Sequence, residues 1–379
     1  MDLVWQLALI ILAVKSAGLI CRKLKQPEVL GKLLAGVILG PSILNLLTVT
    51  GPIKAMAELG VILLMFLAGL ETELKRFRET GKASAFSALG GIVLPLAGGL
   101  WLALSFDMSL KAALFVGITL TATSVSISVQ TLREMGKLQS KEGTTIMGAA
   151  VIDDILGIIM LSLLLGAVAG ADSDDLVFLV AKIFIFFIAV FLVAKWILPP
   201  LLQLVERVGV HQGFVPLSIS ICLLLAYFSD LSGLATITGA YLAGIIMNQL
   251  GYTRLIYEKI DAISYNFFVP VFLVSIGLGI QISDLGGSIP FVLALTAMAV
   301  ITKVLGGGLG AMLGGFPVSN SVAVGTGLVS RGEIALIVAS LGLNKGLISG
   351  DIFASIVAMV LLTTMATPLF LKMTMKNIK

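Results

Sequence analysis

Charge is scarce in this sequence: Asp, Glu, Lys and Arg make up 12% of its 379 residues, while apolar residues make up 58%. With a mean hydropathy of +1.10, that deficit excludes a soluble globular chain, which is about a quarter charged. Histidine is scarcer still. The single one, His211, falls in the loop after the seventh apolar run and reads as solvated, so a response to pH has to come from carboxylates. The two cysteines, Cys21 and Cys222, lie in or beside apolar runs, which excludes a disulfide framework or a thiolate metal site and leaves packing as their role. No small-residue cleavage site follows the first apolar run, Leu3 to Cys21, so it reads as a spanning helix and not as a signal peptide.

What is abundant is the apolar run. A bilayer core about 30 Å thick takes roughly 20 apolar residues per helical crossing. Thirteen such runs begin near residues 3, 29, 53, 83, 109, 143, 175, 213, 233, 263, 287, 320 and 350, and they leave no room for a sizeable soluble domain. The sequence therefore predicts an all-α polytopic membrane protein. With the N-terminus outside, seventeen basic loop residues fall on the inner side and three, Lys54, Lys111 and Lys345, on the outer side. The positive-inside rule then puts the C-terminus in the cytoplasm, and the acidic outer loop with Asp172, Asp174 and Asp175 agrees. The same asymmetry explains the pI near 9.0 without a nucleic-acid partner. Anionic inner-leaflet lipid is the natural one.

Gly31–Ile38 (Gly-Lys-Leu-Leu-Ala-Gly-Val-Ile) echoes Gly239–Ile246 (Gly-Ala-Tyr-Leu-Ala-Gly-Ile-Ile) at an offset of 208 residues (239 − 31). Gly69-Leu70 echoes Gly277-Leu278 at the same offset. Runs one to six then correspond to runs eight to thirteen, an offset of seven crossings that inverts the second copy. The expected domains are residues 1–170 and 213–379 as inverted repeats, with 171–212 as linker.

Four features carry chemistry. Asp153 and Asp154 are adjacent in the otherwise apolar sixth run, where burial costs at least about 2.5 kcal/mol each and aspartate is too short to reach the interface, so an ion or proton route is expected there. Adjacent helical residues point about 100° apart, which predicts different jobs for the two. Lys303 in the eleventh run needs a carboxylate partner, whereas Lys15, Lys32 and Lys182 lie near helix ends and read as reaching the interface. Thr119, Thr121, Thr123, Ser124, Ser126 and Ser128 crowd the fifth run, and Gly325, Gly327, Arg331, Gly332 and Glu333 interrupt the twelfth. Both look like broken helices, at positions equivalent under the repeat because Thr123 plus the offset is Arg331. Irregular backbone at membrane depth has to line a cavity, and the charges of Arg331 and Glu333 offset the partial charges of half-helix ends. The glycines from Gly306 to Gly315 read as helix packing.

These residues resemble the monovalent cation/proton antiporter-2 family, bacterial sodium/proton exchangers with a double-aspartate motif. The resemblance is carried by residues 34–41 (Leu-Ala-Gly-Val-Ile-Leu-Gly-Pro), 66–71 (Phe-Leu-Ala-Gly-Leu-Glu), 122–127 (Ala-Thr-Ser-Val-Ser-Ile), 150–154 (Ala-Val-Ile-Asp-Asp) and 267–272 (Phe-Phe-Val-Pro-Val-Phe), with Lys303 and Arg331-Gly332-Glu333. It implies a sodium/proton antiporter fold with crossed discontinuous helices, in a homodimer of the cell (inner) membrane. Spans one to three and eight to ten would form a scaffold, and spans four to six and eleven to thirteen a moving core, in an elevator mechanism. It further implies Asp154 as cation ligand and proton carrier, Thr123 and Ser124 at the unwound crossing, Asp153 paired with Lys303, and Glu71 as an accessory acid. No nucleotide-binding domain follows the membrane part, unlike glutathione-gated potassium efflux relatives.

The function expected is exchange of protons for Na+ or Li+, electrogenic through Asp153, with K+/H+ exchange as the alternative. No enzyme activity and no cofactor beyond the transported ions is expected. Two rivals share the residues. An intramembrane aspartyl protease needs facing aspartates on different helices, which adjacent ones cannot supply. A sodium-coupled organic-anion carrier keeps the fold but sits poorly with paired acids.

Overall fold

The computed structural model describes residues 2–24, 26, 28–72, 74–169, 173–207, 213–279, 289–376 and 378. His211 and Asp172 lie outside the described residues, as do the side chains of Asp174 and Asp175. Regular structure among the described residues is entirely helical: α1 (Asp2–Lys23), α2 (Glu28–Leu39), α3 (Gly51–Glu71), α4 (Leu74–Ser105), α5 (Leu110–Thr121), α6 (Val125–Glu134), α7 (Lys141–Ala169), α8 (Ser173–Leu192), α9 (Leu198–Arg207), α10 (Phe214–Leu231), α11 (Thr236–Gln249), α12 (Thr253–Ile263), α13 (Val269–Leu278), α14 (Ile289–Leu313), α15 (Val318–Gly327), α16 (Glu333–Asn344) and α17 (Gly350–Met375).

Local chemistry sets many of these boundaries. Ser109 starts α5 by accepting the Ala112 N–H at 3.3 Å, and Ser349 does the same for Ile352 at the head of α17, each satisfying one orphan donor of a first turn. α8 runs into α9, and α12 into α13, through single π-helical turns at Val193–Ile197 and Ser264–Phe268. Pro199, Pro200 and Pro270 follow them. A proline ring displaces the carbonyl four residues back, here residues 195, 196 and 266, so the ladder widens at that point.

Nine helical stretches among the described residues are long and apolar enough to cross a bilayer, and α5–α6, α8–α9 and α12–α13 each count as one. α2 and α11, with 12 and 14 residues, fall short of a full crossing by length. α7 has 29 residues, with the side chains of 161–169 outside the described set. Two helices begin earlier than their apolar runs suggested: α4 at Leu74 and not 83, α12 at Thr253 and not 263. The added turns carry Lys75, Glu79, Glu258, Lys259 and Asp261. Backbone hydrogen bonding continues a helix past the lipid boundary, whereas a count of apolar residues stops there.

α3 packs on α11 and α13, α2 on α13 and α1, and α10 on α11; α4 packs on α14, α5 and α7, and α14 on α15 and α17. α6 bridges these two sets, touching α2 and α3 on one side and α7 and α17 on the other. The interrupted α5–α6 is 89% buried and α1 only 17%, so the broken helix is central and α1 peripheral. On α8, Phe178, Phe184, Ile185, Ile188 and Phe191 point outward, as expected of a surface solvated by lipid.

Candidate functional site

The two aspartates sit side by side on α7, Asp153 at 5% and Asp154 at 7% exposure, and the helical twist sends them to different partners. Asp153 Oδ2 accepts from Lys303 Nζ at 2.9 Å and from the Thr123 hydroxyl. Lys303, on α14, is fully buried. Desolvating each ion costs several kcal/mol, which their mutual attraction and the extra hydroxyl bond offset. Asp154 Oδ2 accepts instead from the Thr238 hydroxyl at 3.3 Å. Thr238 lies in the first turn of α11 and had no distinguishing pattern in the sequence.

The backbone breaks come together beside this pair. Between α5 and α6 residues 122–124 leave the helix, and between α15 and α16 residues 328–332 do. The Ser124 N–H donates to the Ser330 carbonyl at 2.8 Å, and the Ser330 hydroxyl donates back to the Ser124 carbonyl. The Ser128 hydroxyl reaches the Gly327 carbonyl at 2.6 Å. The crossing segments thus satisfy each other's backbone groups where water is excluded. Ser124 Oγ faces Ser126 Oγ at 3.2 Å and makes no described contact with either aspartate.

Arg331, fully buried, donates to the carbonyls of Leu328 (3.1 Å), Val329 (2.8 Å) and Ala299 (3.2 Å). Its charge therefore meets the carbonyls just past the C-terminal end of α15, where the helix dipole is negative. Glu333 is the first residue of α16, and its side chain lies outside the described residues. A cavity of about 30 Å³ touches Thr121, Ala122, Thr123, Asp153, Asp154 and Ile334. That is room for one water-sized occupant beside both carboxylates. Asp153, Asp154, Thr123 and Lys303 are thus brought together, Ser124 and Arg331 shape the backbone next to them, and Glu71 lies elsewhere.

Glu71, at the end of α3, belongs to a second cluster on a more open cavity of about 620 Å³ that it lines with Arg133, Gln139, Asn248, Thr253 and Tyr257. Glu71 takes Arg133 Nε at 3.3 Å and the Tyr257 hydroxyl; Arg133 also pairs with Asp261 and stacks over Tyr265, 4.3 Å from the ring centre. Next to it Glu134 takes Lys32 Nζ at 3.2 Å and the Val29 N–H. Lys32 does not reach for the membrane interface as its position near a helix end had indicated. It is 7% exposed and turned inward, because a carboxylate from α6 and Glu28, one turn back at 3.8 Å, meet it there. Arg133 and Glu134 close α6 as an ordinary charged helix end, so nothing local in the sequence marked them.

The chain matches the transmembrane sodium/hydrogen exchanger family over residues 8–377. It is 44% identical over 370 residues to the Na(+)/H(+)-K(+) antiporter GerN of Bacillus cereus, covering 98% of this chain and 95% of that one. It is 39% identical over 381 residues to a Na(+)/H(+) antiporter of Enterococcus hirae, covering 100% and 99%. Among solved structures, the sodium proton antiporter MjNhaP1 from Methanocaldococcus jannaschii superposes with a TM-score of 0.67 over 100% of this chain and 98% of that one at 16% identity. That likeness speaks for the fold alone.

Proposed function

The chain belongs to the sodium/hydrogen exchanger family, a family of monovalent cation/proton antiporters, and on that premise we propose that it exchanges protons for Na+, and also Li+, at Asp154. The observation that carries this reading is the division of labour between the aspartates: the lysine is bonded to Asp153, and Asp154 is held by a neutral hydroxyl at the edge of a cavity for one small occupant. A proton and a bare alkali cation each neutralise the same buried carboxylate, so they compete, and the competition couples the two flows. Thr123 and the backbone carbonyls freed at the 122–124 break supply further oxygens for a hard cation. Asp153 with Lys303 is a second proton site, which makes exchange electrogenic. K+/H+ exchange is the alternative, favoured by the potassium in the name of the Bacillus cereus relative.

The movement we propose is an elevator in a homodimer, with α4–α7 and α14–α17 as core and α1–α3 and α10–α13 as scaffold, the N-terminus outside and the C-terminus cytoplasmic in the cell membrane. Glycine contacts that match under the 208-residue offset support this division. Gly36 of α2 abuts Gly277 of α13 and Gly69 of α3 abuts Gly244 of α11, and the 208-residue offset converts one contact into the other. It likewise converts the contact of Gly99 with Gly117 into that of Gly307 with Gly325. Two copies of one unit packed in the same way produce such matched contacts.

In proteoliposomes carrying an internal pH dye, external Na+, Li+ or K+ should drive proton movement, and clamping the membrane potential should change its rate. Asp154→Asn should abolish it. Cation-driven proton movement that persists in this variant would reject Asp154 as the carrier.

A further inference from the structure

We propose that Thr238 is a positioning residue for exchange: its hydroxyl holds the Asp154 carboxylate when neither proton nor cation occupies it, and cargo must displace that bond to bind. The inference rests on the reading of Asp154 as carrier. Thr238 is 1% exposed, so no bulk water replaces its hydroxyl. Several buried threonines elsewhere in the chain spend their hydroxyl on a carbonyl one turn back, as Thr119, Thr131, Thr302 and Thr363 do. Thr238 lies too early in α11 to have a helical residue four positions behind it, and its hydroxyl is directed across to α7. The N-terminal end of α11 adds the positive end of a helix dipole on the same side of the carboxylate. The contact is one more link between the two sets of helices, beside those made by α6.

A hydrogen bond donated to a carboxylate favours its charged, empty form over both occupied ones. Removing the donor therefore strengthens proton and cation binding by the same factor. The remaining charges around Asp154 stay as they are: Asp153 on its own helix, Lys303 on α14 and Arg331 at the break before α16. At acid pH, where the proton competes, the two gains cancel and the half-saturating Na+ concentration stays unchanged. At alkaline pH, where it does not, half-saturation falls. A cation ligand would give the opposite sign, and a residue that only packs would change rate without this dependence on pH.

The test is Na+-driven proton movement in proteoliposomes across a pH series, for wild type, Thr238→Val, Thr238→Ala and Thr238→Ser, with Asp154→Asn as control. We expect Val and Ala to lower the alkaline half-saturation about tenfold, to leave the acid value unchanged, and to move the crossover between the regimes up by about one pH unit. Ser keeps the wild-type curve. A half-saturation that is unchanged or raised at alkaline pH in both Val and Ala overturns the proposal, as does a Ser variant that behaves like Val. Exchange that survives Asp154→Asn overturns the underlying reading instead, and the two failures are told apart within one experiment.

Discussion

Lys303 and Asp153 illustrate how a buried charge is retained. Each is enclosed, and removing one leaves the other desolvated with its main partner gone. Lys303→Met is expected to destabilise the protein by about 3–5 kcal/mol, whereas Lys303→Met with Asp153→Leu should recover most of that loss, because an apolar pair of similar volume fills the same space without charge. Thermal unfolding in detergent measures both, and equal melting of the single and double variants would remove the pair from the account of stability. The need for a partner to Lys303 was legible from its place in an apolar run. Thr238 was not, because a single threonine beside a glycine is ordinary in membrane helices, and its acceptor lies 84 residues away in the chain. Lys32 was misjudged for a related reason: distance from a helix end says how far a side chain reaches, not what awaits it on the inner face.

At the scale of elements, the close approach of α4 and α14 depends on glycine. A Cβ on Gly306 would collide with the backbone carbonyl of Gly90, and neither helix can yield without separating. Gly306→Val should cost about 1–3 kcal/mol or more as overpacking, read as a lower melting temperature. Gly81, also within α4, meets nothing within 4 Å of an added Cβ. Gly81→Ala should therefore raise stability by up to about 1 kcal/mol through backbone entropy alone. If both variants melt alike, contact geometry does not govern this interface. The interruptions of α5–α6 and α15–α16 follow from hydroxyl and glycine residues that compete with the helical ladder. Where the freed groups go follows only from the crossing itself, where Ser124 and Ser330 serve each other.

Over the whole molecule, α6 joins the neighbourhood of the aspartate pair to the polar cluster of the other helix set: it begins at the break beside Thr123 and ends, after about 15 Å of helix, at Arg133 and Glu134. These grip Glu71, Asp261 and Lys32. In an elevator that grip opens in every cycle. With Cys21 and Cys222 replaced by alanine, Lys32→Cys and Glu134→Cys joined by a short cleavable bismaleimide linker should arrest exchange, and cleavage of the linker should restore it. Undiminished exchange in the tethered protein would show that the two sets need not part. The sequence by itself determined that this chain is helical and lives in lipid, and that it carries costly charges at Asp153, Asp154 and Lys303 within apolar runs, because solvent preference and helical period are properties of short stretches. Which hydroxyl serves which aspartate, and which charges lock α6 to its neighbours, was decided by tertiary structure. Those contacts join residues on helices far apart in sequence, and no local pattern encodes a meeting between two distant side chains.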